Sequence, residues 1–163
     1  MSNRKVALAL GSNMGNRLLY LRSAIDELAH SGFKILKTSR VWETKPWGVE
    51  NQPSFLNMCL IAESELEPEN MLDAVKSAEK KLGRIARAHW GPREIDIDIV
   101  LIEEEIFTSD RLTVPHPMMQ DRDFVMIPLS EIAPEMRHPL LEKSVSEIAD
   151  KLTSQNMKWI TKL

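Results

Sequence analysis

Between Ile95 and Ile99, isoleucine alternates with aspartate, and Val100, Leu101 and Ile102 follow directly. A two-residue period marks a strand with one buried face. It commits Ile95, Ile97 and Ile99 to a core and sets Asp96 and Asp98 together on the opposite face, roughly 7 Å apart along the strand. Two carboxylates so placed repel, and one of them takes up a proton more easily than an isolated acid. A divalent cation removes that penalty and uses carboxylate oxygens as ligands. Taken alone, an Asp-x-Asp is more often just the wet face of an edge strand. The residues before it point further. From Lys80 to Arg93 there are five Lys or Arg and no acid, and Gly91-Pro92 adds a rigid turn. Guanidinium groups grip phosphate oxygens, and metal-holding acids beside phosphate-holding bases are the parts phosphoryl transfer needs.

The flanking segments place this strand in a fold. Val6 to Leu10 reads as a short buried strand ending at Gly11-Ser12-Asn13. The glycines between Gly11 and Asn16 form a tight strand-to-helix turn, without the Lys-Ser/Thr of a P-loop. Asn16 caps a helix with Leu18, Leu21, Ile25, Leu28 and Ala29 on one face, and Gly32 stops it. Phe33 to Glu43 alternates as a second strand, Thr44 to Pro53 is a loop, and Phe55 to Leu66 is a third strand interrupted by Asn57. That buried amide needs partners, from backbone or from a ligand. Pro68 opens a helix through Lys81, with Gly83 as its stop. Beyond the Ile/Asp strand come a charged turn at Glu103-Glu104-Glu105, strand candidates at 106–107 and 112–114, His116 between two prolines, and a turn at His138-Pro139. The tail reads as short helices over 124–132 and 145–152. The order to Ile102 is strand, helix, strand, strand, helix, strand, an α+β ferredoxin-like arrangement in which the first and fourth strands are neighbours. A C-terminal extension follows, and 1–163 reads as one domain.

Composition narrows the partners. With a net charge of −3, no global attraction to nucleic acid or acidic membrane is expected. The one cysteine, Cys59, excludes an intrachain disulfide framework and reads as a buried structural thiol in a reducing cytoplasm. No signal peptide or membrane span is expected.

Trp90-Gly91-Pro92-Arg93-Glu94-Ile95-Asp96-Ile97-Asp98-Ile99-Val100 resembles the signature of the 6-hydroxymethyl-7,8-dihydropterin pyrophosphokinases of folate biosynthesis. The likeness runs from Ala7 to Glu135. It includes Ala9-Leu10-Gly11-Ser12-Asn13, Asn51-Gln52-Pro53 with Phe55-Leu56-Asn57, Leu112 to Pro117, Arg122-Asp123-Phe124, and Pro128 to Glu135. The family moves a pyrophosphoryl group from ATP to the pterin hydroxymethyl and releases AMP. The resemblance implies that Asp96 and Asp98 hold two Mg²⁺ ions between triphosphate and attacking hydroxyl, with Asp96 also beside the pterin. It implies phosphate contacts from Arg84, Arg93, His116 and Arg122, and nucleotide contacts from Glu79, Arg87, Ile99, Arg111 and Thr113. Trp90 closes over the site. Phe55 and Phe124 sandwich the pterin, Thr44 and Asn57 bond its edge, and Trp47 lines the slot. His89 stands where the family often has arginine. ATP and the pterin are the expected partners of a cytoplasmic monomer that binds neither nucleic acid nor membrane.

Two other classes fit parts of the chain. A ferredoxin-like module binding RNA or a regulatory ligand requires exposed aromatics on the sheet and a broad basic face, whereas these strands are mostly aliphatic. A metal-dependent nuclease or phosphatase would use Asp96 and Asp98 but leaves Thr44 to Asn57 without a role.

Overall fold

Val6, Leu8 and Leu10 alternate with Ala7 and Ala9, and all five are buried, so the first strand has to be covered on both faces. The computed structural model describes residues 3–45, 51–84 and 92–163. In it, β1 (Arg4–Ser12), α1 (Arg17–Ala29), β2 (Lys34–Thr38), β3 (Arg40–Thr44), β4 (Phe55–Ser64), α2 (Pro68–Lys81) and β5 (Asp96–Ile102) make the ferredoxin-like core. Short strands β6 (Phe107–Thr108) and β7 (Thr113–Val114), α3 (Asp123–Ile132), strands β8 (Arg137–His138) and β9 (Lys143–Ser144), α4 (Val145–Ala149) and β10 (Met157–Lys162) follow. The main sheet runs β10-β3-β4-β1-β5, with β2 also on β4. β1 and β5, the first and fourth strands of the order expected from the sequence, are therefore neighbours, with Leu10 opposite Ile97 and Gly11 opposite Asp96.

The two faces of β1 meet two cores. Val6, Leu8 and Leu10 pack with Leu21, Ala24 and Leu28 of α1 and with Met71, Leu72, Val75 and Ala78 of α2. Ala7 and Ala9 pack with Cys59, Ile61 and the Val125, Met126 and Leu129 face of α3, closed by Val145 and Ile148 of α4. The small side chains of Ala7 and Ala9 let α3 lie close to the sheet. Each helix burying several aliphatic side chains gains about 1.5–3 kcal/mol per residue from transfer alone. Leu18 and Ala29, expected on the core face of α1, are exposed; Ala24 takes that face instead. Asn16 caps α1 through a bond from the Leu19 N–H to its Oδ1 at 3.1 Å. Pro68 starts α2 and Gly83, at φ +93°, ends it. Among the described residues no helix is long and apolar enough to cross a membrane.

The single strand expected over 33–43 is two. β2 pairs Ile35 with Ala62 but Lys37 with Ile61, and β3 then pairs Trp42 with Asn57. Two one-residue slips cancel in parity, so Phe33, Ile35 and Val41 still share the α1 side of the sheet. At the break Ser39 substitutes its side chain for a ladder carbonyl: the Cys59 N–H donates to Ser39 Oγ at 2.9 Å, and the Ser39 N–H donates to Cys59 O at 2.9 Å. Ser39→Ala leaves the buried Cys59 amide unpaired, so a loss of about 1–3 kcal/mol is expected. Thermal unfolding checks it; an unchanged midpoint contradicts the assignment. Cys59 itself is buried, its Sγ donates to Val125 O at 3.4 Å, and burial pushes its thiol well above the ordinary range, which makes it a structural thiol.

The tail corrects the expectation of helices alone. The helix at 145 ends at Ala149, and Met157–Lys162 is an edge strand paired with β3, Trp159 opposite Trp42 and Met157 opposite Thr44. The Arg40 guanidinium lies 5.4 Å from the Trp42 ring and 5.3 Å from the Trp159 ring. Glu131 of α3 accepts from Trp42 Nε1 at 2.6 Å and Arg40 Nε at 3.0 Å. This bond set ties α3 and the last strand to β3, whose final residue, Thr44, faces the site.

Candidate active site

The ends of β1, β4 and β5, on the α3 side of the sheet, open into a pocket of about 290 Å³, the scale of a small-ligand cleft. Ten of its lining residues are ones the sequence singled out: Thr44, Phe55, Asn57, Arg84, Arg93, Asp96, Asp98, His116, Arg122 and Phe124. β5 explains the acids. Ile95, Ile97 and Ile99 are buried in the α1/α2 core, so period two turns Asp96 and Asp98 to the pocket. The Arg84 Nη1 donates to Asp96 Oδ1 at 3.1 Å and Arg93 Nη1 to Asp96 Oδ2 at 3.4 Å. Arg122 Nη1 stands 3.9 Å from Asp98 Oδ2. Poor solvation, then the Asp96 charge, hold the Asp98 carboxyl up at about 7, although Arg122 opposes both. Asp96 and Asp98 form the acid pair, and among the described residues no cluster of three His, Cys, Asp or Glu side chains stands ready for a metal.

Glu79 lies behind the pocket rather than in its lining. Its Oε2 accepts from Arg84 Nη1 and from the Ile97 N–H, both at 2.7 Å, so it aims Arg84 and fixes β5. Burial raises its carboxyl above the usual range, against Lys76 and the Ile97 N–H. Lys76, one turn earlier on α2 and 3.4 Å from Glu79 Oε1, also lines the pocket. Sequence reasoning passed over it; its three-residue spacing from Glu79 was the available signal.

The opposite wall is aromatic and amide. Asn57 and Thr44 are both buried, and Asn57 Nδ2 donates to Thr44 Oγ1 at 2.6 Å. A side chain therefore partners the Asn57 amide. Gly11 makes room for it: a Cβ there would sit 2.7 Å from Asn57 Oδ1. Phe55 and Phe124 line the same wall, and the Arg122 guanidinium lies 5.6 Å from the Phe124 ring. His116 Nδ1 accepts the Met118 N–H at 3.1 Å, while burial and then Arg122 lower its pKa to about 4. At neutral pH the ring is uncharged and carries its proton on Nε2.

Three of the remaining sequence candidates lie outside this pocket. Ile99 is in the core. Thr113, on β7, is exposed. Arg111 is also exposed and pairs with Glu69 at 3.2 Å and with Asp73 at 2.5 Å along α2. Trp47, Arg87 and Trp90, with His89, fall outside the described residues.

An aromatic–amide wall and an acid pair flanked by arginines line one pocket, a combination of groups that can take a flat ring and an anion. Residues 7–134 match the family described as 7,8-dihydro-6-hydroxymethylpterin-pyrophosphokinase (HPPK). The chain belongs to that family. Among family relatives, the 2-amino-4-hydroxy-6-hydroxymethyldihydropteridine pyrophosphokinase of Aquifex aeolicus is 44% identical over 158 residues, covering 97% of this chain and 98% of that one. The Bacillus subtilis protein of the same name is 41% identical over 135 residues, covering 82% and 81%. The Pneumocystis carinii folic acid synthesis protein fol1 is 37% identical, but the match covers 97% of this chain and only 21% of that protein. Among solved structures, wild-type Plasmodium falciparum HPPK-DHPS superposes with a TM-score of 0.75 at 15% identity, over 98% of this chain and 48% of that one. That likeness speaks to the fold alone and agrees with the ferredoxin-like arrangement.

Proposed function

We propose that the chain, as one domain over residues 1–163, transfers the pyrophosphoryl group of ATP to the hydroxymethyl group of 6-hydroxymethyl-7,8-dihydropterin, releasing AMP and supplying folate biosynthesis. The observation that carries this is the site's division into two halves that meet at Asp96. On one side Arg84, Arg93, Arg122 and neutral His116 are set for a triphosphate. On the other Phe55, Phe124, Asn57 and Thr44 are set for a flat heterocycle with polar edges.

In this reading Phe55 and Phe124 stack on the pterin, and Asn57 with Thr44 bonds its edge, with Trp47 beside it. Arg84, Arg93 and Arg122 turn from the acids they pair with toward phosphate oxygens, and His116 donates through Nε2. Glu79 keeps Arg84 aimed. Ile99, Arg111 and Thr113 belong to the adenosine end, where Arg111 would exchange Asp73 and Glu69 for the nucleotide; Arg87 and Trp90 complete that side. The hydroxyl oxygen attacks the β-phosphorus and gives up its proton to solvent, the bond from that phosphorus to the oxygen bridging it to the α-phosphate breaks, and AMP leaves with that oxygen. Positioning and charge neutralisation supply most of the acceleration.

Two Mg²⁺ ions fit Asp96 and Asp98. Among the described residues the acids are a pair without a third, which is what Mg²⁺ uses when substrate phosphates complete its shell, and burial first and then the Asp96 charge raise the Asp98 carboxyl, a cost that a bound cation would offset. Once bound, Mg²⁺ neutralises triphosphate charge around the attacked phosphorus. A cytoplasmic monomer needing neither nucleic acid nor membrane completes the reading; it rests on the net charge of −3 and the buried single thiol.

The test is simultaneous occupancy. Calorimetry should find one pterin and one non-hydrolysable ATP analogue per chain, each binding with the other present. Competition between them would contradict the two-halved site.

A further inference from the structure

Met118 stands between two of the groups set for phosphate. Its backbone N–H donates to His116 Nδ1 at 3.1 Å. Its side chain reaches the other way, where Arg122 Nη2 donates to its Sδ at 3.7 Å. The same guanidinium holds Nη1 3.9 Å from Asp98 Oδ2. Met118 is only half-buried, whereas Met58, Met119 and Met126 are at most 1% exposed. Cys59, the one thiol, is buried. Susceptibility to oxidants follows exposure, so the sulfur within reach of one near the site is the one that touches Arg122.

We propose that Met118 is a modification site, whose oxidation to the sulfoxide by a peroxide holds Arg122 off the triphosphate and weakens nucleotide binding. The inference rests on the reaction proposed above, in which Arg122 contacts phosphate oxygens. The step is an oxygen transfer. A lone pair of Sδ attacks one oxygen of hydrogen peroxide, the O–O bond breaks, and the other oxygen leaves as water with the proton of the transferred one. Sulfur is oxidised by two electrons and the peroxide is reduced. Sulfoxide reductases run the return step: two thiols become a disulfide, the oxygen leaves as water, and the thioether is restored. A thioether is a weak acceptor and gives up Arg122 readily. A sulfoxide oxygen carries partial negative charge and accepts strongly. With Sδ 3.7 Å from Nη2, an oxygen added to the sulfur can sit roughly 2.9 Å from that donor, an ordinary hydrogen-bond length. The bond is charge-assisted, and phosphate has to break it.

The experiment treats the protein with hydrogen peroxide, removes the peroxide, locates added oxygen by peptide mass spectrometry, and titrates a non-hydrolysable ATP analogue with Mg²⁺ by calorimetry. Each protein is compared with itself before and after treatment. In the parent, Kd for the analogue should rise about tenfold, the scale of one hydrogen bond to a charged group. Methionine sulfoxide reductases with a thiol should bring it back. Met118→Leu keeps the other half-exposed methionines, Met14 and Met157, and its Kd should barely respond to peroxide. Met118→Gln places an amide oxygen near Arg122 and should raise Kd without any oxidant. Thermal unfolding runs alongside. A Met118 that stays reduced while Met14 and Met157 gain oxygen would overturn the proposal. So would an oxidised Met118 with unchanged affinity, or a Met118→Leu protein that loses as much as the parent. An untreated parent that does not bind the analogue would fail the reaction itself, a separate result that takes the proposal with it.

Discussion

Asp96→Asn and Asp98→Asn should each lower kcat/KM on the order of a hundredfold to a thousandfold, the scale of removing one designed charge contact from a transition state. The chain should stay folded in both. Asparagine has nearly the shape of aspartate, and the cross-strand pairing of Gly11 with Asp96 and Ala9 with Asp98 is backbone pairing. Asp96→Asn also removes the charge and one of the two acceptor oxygens that Arg84 and Arg93 share, but Glu79 still holds Arg84 at 2.7 Å. Asp98→Asn has a second expected effect of opposite sign. The Asp98 carboxyl is held up at about 7, against about 3.9 for an unperturbed aspartate. The unfolded chain therefore releases its proton first. The native state loses stability as pH rises above about 4, and the loss is complete above about 7. Asparagine carries no such penalty. With solvent screening allowed for, Asp98→Asn should melt roughly 2–4 °C above the parent at pH 8, for about 1 kcal/mol, and the difference should vanish near pH 4. Turnover like the parent's at low Mg²⁺, in both variants, contradicts the assignment. An inactive variant that melts lower at pH 8 contradicts the electrostatic account of Asp98.

Phe55→Ala and Phe124→Ala should each weaken pterin binding by about 1–3 kcal/mol, the worth of an aromatic stack on a nucleobase. They should differ in what they do to the nucleotide. Phe55 sits at the start of β4 beside Gly11 and Asn57, remote from the arginines in its bonding. Phe124 carries the Arg122 guanidinium near its ring, so its loss also loosens a side chain set for phosphate. ATP-analogue affinity should hold in Phe55→Ala and fall in Phe124→Ala by roughly 1–2 kcal/mol, the scale of a cation–π contact whose cation is largely shielded from solvent. Calorimetric titration of both ligands against both variants separates the cases. Equal losses for pterin and nucleotide in Phe55→Ala would mean general loosening and would contradict the stacking role.

The elements whose pattern is carried by one local signal were legible in the sequence. α2 begins at Pro68 and ends at Lys81 as read, because a proline at the first helical turn and a glycine past the last are local signals. Asp96 and Asp98 share a face because period two leaves no alternative once Ile97 is buried. Elements that depend on partners distant in sequence were not legible. The break at Ser39 exists because Cys59, on another strand, supplies both a donor and an acceptor. β10 is a strand because β3 offers an open edge and Arg40 offers a cation to Trp159. Within the site the same division holds. The charged and aromatic residue types announced themselves, while Lys76 acquires meaning only when α2 meets the pocket rim.

The central claim is a transfer of two phosphates together to a pterin alcohol, and product analysis tests it most directly. Purified protein with Mg²⁺, ATP and 6-hydroxymethyl-7,8-dihydropterin should yield AMP and pterin diphosphate in equal amounts, and little of either when the pterin is left out. ADP as the main product, or nucleotide turnover indifferent to the pterin, would contradict it.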